Sequence, residues 1–214
     1  MRVILIAAKE RAIAKTRLAP AFAAPERIAL AEAMYCDVLA AAVGARNAER
    51  VAVVSSDAVL LELARRAGAL AIDEGYPRGL NAAVALATAQ LGAAGARCVC
   101  TVLSDVALVT AEDIDVVLAA MAEGGGVVVV PSRDFSGTNM IARSPADVIA
   151  THFGRLSLMR HLDDCRAHGV RCQVLRLPRP ALDLDLLNDL QEFVRAASPT
   201  HTLGQLMRLG IAQH

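Results

Sequence analysis

The strongest constraint on this chain is an alternation. Short apolar runs of β-prone residues, Val3–Ala7, Val51–Val54, Leu70–Ile72, Cys98–Leu103 and Val127–Val130, recur between segments whose apolar residues fall at helical spacing. Pro25 opens the first such helix, with Ile28, Ala31, Met34, Val38 and Ala42 near a 3.6-residue repeat. A second helix runs through Leu60, Leu61 and Leu63 to a stop at Gly68, and Leu80–Leu91 reads as an Ala-rich third. Thr110-Ala111-Glu112-Asp113 has the form of a capping box opening a fourth. Further on, Asn139–Ala142 reads as a strand, residues 155–168 as a helix, Arg171–Leu177 as a strand and Leu186–Ala196 as a helix. The tail from Ser198 is ambiguous. Strands that are apolar throughout need cover on both faces, so the pattern predicts an α/β fold. It is read as a single domain, 1–214, with a mainly parallel, mixed sheet flanked by helices on both faces.

Composition narrows the function classes. Hydrophobic residues make up 55% of the 214, enough for a full core without cross-links. The formal net charge is zero, which disfavours a nucleic-acid or anionic-membrane surface. Nowhere do about 18 apolar residues run uninterrupted, so no membrane span is expected. The opening stretch MRVILIAAKERAIAK turns basic too soon for a signal peptide and reads as a first strand. Cys36, Cys98, Cys100, Cys165 and Cys172 form no CxxC pair and are odd in number, which points to buried thiols and a cytoplasmic setting. Apolar helices and a neutral surface permit a homodimer.

In a parallel sheet, ligands bind beyond the carboxyl ends of the strands, so chemistry-bearing residues should follow strands. After the first strand come Lys9, Arg11, Lys15 and Arg17, a basic loop suited to a polyphosphate or, more plainly, to solvent. It lacks the Gly-x-x-x-x-Gly-Lys-Ser/Thr pattern of a phosphate-binding loop. After the fourth strand comes Ser104-Asp105; the aspartate either makes a turn or offers a hard-cation ligand. Near the end, Asp183 and Asp185 lie two apart, so in a strand they would share a face, with Asn188-Asp189 in the first turn of the next helix.

Weaker signals lie elsewhere. Arg78-Gly79-Leu80-Asn81 precedes a helix whose first N–H groups could meet an anion or a base edge. Ser136-Gly137-Thr138-Asn139 and Phe153-Gly154-Arg155-Leu156-Ser157 are turns that could touch a small molecule. His161 reads as a packed or surface residue. The histidines have no zinc-ligand spacing, and no Gly-x-Ser-x-Gly elbow is present.

Taken in order, Lys9 with Ala14-Lys15-Thr16-Arg17-Leu18, Val53-Val54-Ser55-Ser56-Asp57, Gly79-Leu80-Asn81-Ala82-Ala83, Leu103-Ser104-Asp105, Gly137-Thr138-Asn139, Phe153-Gly154 with Ser157 and His161-Leu162, and Leu182-Asp183-Leu184-Asp185 with Asp189-Leu190 cover most of the chain. This ordered set resembles the CofC family, guanylyltransferases of coenzyme F-420 biosynthesis within the GT-A-like, nucleotide-diphospho-sugar transferase-like nucleotidyltransferases. Three departures stand out, one of them Arg155-Leu156 before Ser157, where small or proline residues are common in the family. Val106-Ala107 follows Asp105 where the family has Leu-Pro, and Leu186-Leu187 follows Asp185 where it has Thr-Pro.

The resemblance implies a reaction. A phosphorylated three-carbon acid (2-phospho-L-lactate, phosphoenolpyruvate or 3-phospho-D-glycerate) attacks the α-phosphate of GTP, and pyrophosphate leaves. It also implies roles: Lys9, Lys15, Arg17, Ser56, Gly79, Leu80 and Asn81 for the nucleotide, and Thr138, Gly154 and Ser157 for the acid. Mg²⁺ would be held by Asp105 with Asp183 or Asp185, and Lys15, Arg17 and Asp105 would carry catalysis. Alternatives are a related transferase using another nucleotide, or a sugar-phosphate or molybdopterin acceptor, and a catalytically silent nucleotide-binding protein.

Overall fold

A computed structural model of the chain describes residues 1–121, 124–196 and 199–211. The first parallel group is β1 (Arg2–Ala7), β2 (Arg50–Ser55), β3 (Leu70–Asp73) and β4 (Cys98–Leu103), and β5 (Gly126–Pro131), β6 (Thr138–Ser144) and β7 (Cys172–Val174) follow. The seven strands form one sheet in the order β3-β2-β1-β4-β6-β5-β7. Only β6 runs against its neighbours, pairing antiparallel with both β4 and β5. The helices are α1 (Ala24–Gly44), α2 (Ala58–Arg66), α3 (Leu80–Ala93), α4 (Ala111–Ala119), α5 (Ser157–Ala167), α6 (Pro178–Ala181), α7 (Leu187–Ala196) and α8 (His201–Arg208). The expected mixed sheet with helical cover is therefore present.

The strands explain the cover. Along β1, alternate side chains point to opposite faces, and both sets are buried. Ile4 and Ile6 pack with Tyr35, Val38 and Leu39 of α1, Leu60 and Leu61 of α2, and Val117 and Leu118 of α4. Val3, Leu5 and Ala7 pack on the other side with Ala83, Val84 and Ala87 of α3 and Leu158 of α5. A third cluster joins Leu18, Phe22, Leu30 and Met34 to Leu182, Leu184, Leu190, Phe193 and Leu206. It fastens the end of the chain over the loop that follows β1. No helix among the described residues is long and apolar enough to cross a membrane.

Several boundaries differ from the sequence reading. The basic loop contains two short 3-10 turns, Arg11–Ile13 and Thr16–Leu18. The strand expected over Arg171–Leu177 shrinks to Cys172–Val174, because it pairs on one edge only, with β5. Asp183 and Asp185 lie in no strand. Their segment makes no ladder, yet it keeps the two-residue alternation, with Leu182 and Leu184 buried and the aspartates partly exposed. The ambiguous tail becomes α8 where it is described; Ser198 and residues 212–214 lie outside the described residues.

Two features of this packing have measurable consequences. Gly125, at the entry to β5, has φ +91°, and a Cβ there would lie 2.3 Å from the Ser144 carbonyl oxygen. Backbone strain and a backbone clash act together, so Gly125→Ala should cost about 2–3 kcal/mol, read as a fall in the urea midpoint. His161 of α5 is fully buried, and its pKa is pushed down to about 4, first by burial and then by the neighbouring His152 and Arg143. The unfolded chain protonates this ring below about pH 6.5, while the folded protein keeps it neutral to about pH 4. Protons in that window therefore favour unfolding. Stability should fall by up to about 3 kcal/mol as pH is lowered from 6.5 to 4, and His161→Asn should flatten that slope in denaturation series.

Candidate active site

The carboxyl edge of the sheet opens into a cleft of about 780 Å³. Its wall includes Lys9, Lys15 and Arg17 after β1, Ser104 and Asp105 after β4, and Thr138 at the start of β6. Gly154 and Ser157 come from the turn before α5, and Asp183 and Asp185 from the segment before α7. Thr138 opens its strand rather than following it, yet it reaches the same edge because β6 is antiparallel and its amino end sits beside the end of β5. A larger hollow of about 990 Å³ lies over α3, walled mainly by small residues, and none of the clustered acids and lysines borders it.

Lys15 is the centre of the charged cluster. Its side chain is only 5% exposed, and its Nζ donates to Asp105 Oδ2 at 2.9 Å and to Asp185 Oδ1 at 3.0 Å. Burial opposes the ammonium, but the two carboxylates outweigh it and raise the Lys15 pKa. Asp105 mirrors this: burial alone would raise its pKa, and the Lys15 charge lowers it on balance. Arg17, 71% exposed, donates to the other oxygen of Asp185 at 3.1 Å. Both oxygens of Asp185 are thus bonded to cations, whereas Asp105 Oδ1 is buried without a hydrogen-bond partner among the described residues. Asp183 is raised in pKa, first by burial and then by the nearby charge of Asp105.

The other side chains hold this arrangement in place. Arg11 does not face a ligand freely: its Nε donates to Asp57 Oδ2 at 2.8 Å, and it also pairs with Glu32. Asp57 in turn caps α2 through the N–H groups of Val59 and Leu60. The late acidic segment is delivered by α6. Arg179 bonds Asp113 at 2.8 and 2.9 Å, and Asn139 Nδ2 donates to the carbonyls of Pro180 and Ala181. Asp189 accepts from the N–H groups of Asp185 and Leu186, closing the turn into α7. Among the described residues, three non-glycine residues adopt left-handed backbone, Lys15, Phe135 and Leu156, and all three lie in loops at this cleft. Such conformations cost of order 1–3 kcal/mol each and persist where surrounding contacts over-determine them.

The sequence-predicted residues divide into two groups. Lys9, Lys15, Arg17, Leu80, Asp105, Thr138, Gly154, Ser157, Asp183 and Asp185 meet at the cleft. Ser56, Gly79 and Asn81 do not form its wall. Asn81 is spent on the chain itself: its Nδ2 donates to the Phe153 carbonyl at 3.1 Å, and its Oδ1 accepts from the Phe153 N–H at 2.7 Å. Gly79, at φ +85°, caps the start of α3. Ser136 and Arg155, from the two weakly signalled turns, also line the cleft, and so do Arg133 and Asp134, which carried no sequence signal because turn segments use such residues routinely.

A divalent cation can be tested against these side chains. Among the described residues, no three His, Cys, Asp or Glu groups converge as a complete protein cage. Magnesium does not need one, because substrate phosphates and water fill most of its shell around one or two carboxylates. The unpartnered Asp105 oxygen and the neighbouring Asp183 fit that requirement.

The comparisons agree with this geometry. The family described as guanylyl transferase CofC like matches residues 1–214. A phosphoenolpyruvate guanylyltransferase from Sphaerobacter thermophilus is 35% identical over 190 residues, covering 89% of this chain and 91% of the relative. A 3-phospho-D-glycerate guanylyltransferase from Phenylobacterium zucineum is 38% identical over 85% of this chain and 84% of its own. A 2-phospho-L-lactate guanylyltransferase from Methanothermobacter thermautotrophicus is 32% identical over 92% and 85%. A solved structure from Desulfovibrio desulfuricans G20, assigned to the nucleotide-diphospho-sugar transferases, superposes with a TM-score of 0.77 at 18% identity. It covers 97% of this chain and 94% of that one, a likeness of fold. With the family match running the full length and the early basic loop folded against both acidic segments in one cleft, the chain belongs to the guanylyl transferase CofC like family.

Proposed function

We propose that this protein transfers GMP from GTP to a phosphorylated three-carbon acid, with release of pyrophosphate, as a step in coenzyme F-420 biosynthesis. The observation that carries the reading is the Asp105 side chain: one oxygen held by buried Lys15, the other buried and unpartnered beside Asp183. Guanylyltransferase relatives at 32–38% identity support the donor and the acid class.

Both reactants are anions, so the protein's task is to let them meet. A phosphate oxygen of the acid is already a competent nucleophile toward the α-phosphorus, and no general base is required. Catalysis then rests on positioning and on fixed charge. Exposed Lys9 and Arg17 reach the triphosphate, and Lys15 is held by the carboxylates of Asp105 and Asp185. Thr138, Gly154 and Ser157 supply the wall for the acid. Asp105 and Asp183 are the residues that would hold magnesium, with Asp185 kept on Lys15 and Arg17. When bound, the ion supplies positive charge against the phosphate oxygens and the departing pyrophosphate.

The test is purified protein with GTP and magnesium, each of the three acids in turn, and mass detection of the guanylylated product. Turnover with GTP, and little with CTP or UTP, is expected; preference for CTP or UTP would overturn the donor assignment. Asp105→Asn should stay folded by circular dichroism and lose at least about a hundredfold in kcat/KM, the scale of one lost preorganised charge interaction. Turnover near the unsubstituted level would refute the role of Asp105.

A further inference from the structure

His161 is fully buried on α5 and touches the wall of the cleft from behind. Its Nε2 receives the backbone N–H of His152 at 2.8 Å, and its Nδ1 lies 3.0 Å from Thr138 Oγ1. A backbone N–H can only donate, so Nε2 must offer a lone pair, and in the neutral ring the proton then resides on Nδ1. Nδ1–H therefore donates to the Thr138 hydroxyl. The hydroxyl's own hydrogen has no acceptor on the ring, and Thr138 Oγ1 makes no other hydrogen bond among the described residues.

Thr138 forms part of the cleft wall together with Ser157, whose Oγ is buried and also unpartnered. The ring holds more than the threonine. Through the His152 N–H it ties down the irregular segment entering Gly154, which Asp164 secures by a 2.6 Å contact with the His152 imidazole and Asn81 secures at Phe153.

We propose that His161 is a positioning residue: by donating to Thr138 Oγ1 it obliges that hydroxyl to donate into the cleft, to an anionic oxygen of the acid. The inference rests on the transferase reading for the identity of that acid. It adds a selection rule. The Thr138 position favours a carboxylate or phosphate oxygen over a ligand that donates there, because the ring takes one of the two threonine lone pairs and leaves the hydroxyl hydrogen for an acceptor.

Three substitutions separate this from a packing role. His161→Asn keeps an amide nitrogen near the Nδ1 position and should preserve donation to Thr138. His161→Gln can still accept from the His152 N–H but places no donor at Nδ1. Thr138→Val removes the hydroxyl at nearly constant volume. The expected result is a rise of about ten- to a hundredfold in KM for the acid in His161→Gln and in Thr138→Val, the scale of a hydrogen bond to a charged group. The KM for GTP should stay within about twofold, His161→Asn should stay close to the unsubstituted protein, and the double variant should add nothing to Thr138→Val. Nitrogen-15 histidine spectra should show His161 as the Nδ1–H tautomer between pH 6 and 8. An Nε2–H tautomer, an unchanged acid KM in both single variants, or equal rises for acid and GTP would each overturn the proposal. Calorimetric acid binding keeps the two readings apart. Protein that binds acid through this relay but forms no guanylylated product defeats the transferase reading alone, and unsubstituted acid affinity in His161→Gln defeats the relay alone.

Discussion

A single buried ammonium organises the cleft. Lys15 reaches Asp105 from the loop after β1 and Asp185 from a segment 170 residues later, and this contact gathers three distant stretches of chain around one point. Removing Lys15 would leave carboxylates crowded in a partly desolvated space, where an unpaired charge is costly. Its left-handed backbone shows that the loop bends to bring it there. The same contact leaves the second oxygen of Asp105 buried without a hydrogen-bond partner among the described residues.

Around that point the protein separates holding from reacting. Asp57, Asp113 and Asp189 are acids at helix starts, and each is occupied by N–H groups or arginine. Asp105 and Asp183 differ from them: one oxygen of Asp105 has no hydrogen-bond partner among the described residues, and Asp183 lies close to its charge. Arg11 belongs to the first group despite its place in the basic loop, because Asp57 and Glu32 bind it. Lys9 and exposed Arg17 belong to the second. Composition cannot make this distinction, since both groups use the same residue types.

The fold was largely legible. Continuous apolar runs such as Cys98–Leu103 demand cover on both faces, and helices between them supply it, so the layered α/β plan follows from period and length alone. Lys15 and Asp105 stood out in the sequence because each follows a strand, and the structure brings the two together at the carboxyl edge of the sheet. Thr138 escapes that rule on its own merits, since the direction of β6 is not written in its four or five central residues. Asn81 looked like a ligand-facing residue at a helix start and proved to clamp Phe153, a partner 72 positions away. His161 belonged to the ordered set of the resemblance but read only as a packed or surface residue, and its two hydrogen bonds exist only because β6 and the turn at His152 close on α5.

What the sequence by itself determined was the alternation of strand and helix, the burial of both sheet faces, and the edge at which polar residues had to emerge. These are local properties: periodicity, apolar length and turn chemistry act within about ten residues. Tertiary structure alone decided which charges would be spent on one another, which oxygen of Asp105 would remain free, and which nitrogen of His161 would carry the proton. Those outcomes depend on distances of about 3 Å between groups up to 170 positions apart, and no local pattern encodes a separation of that kind.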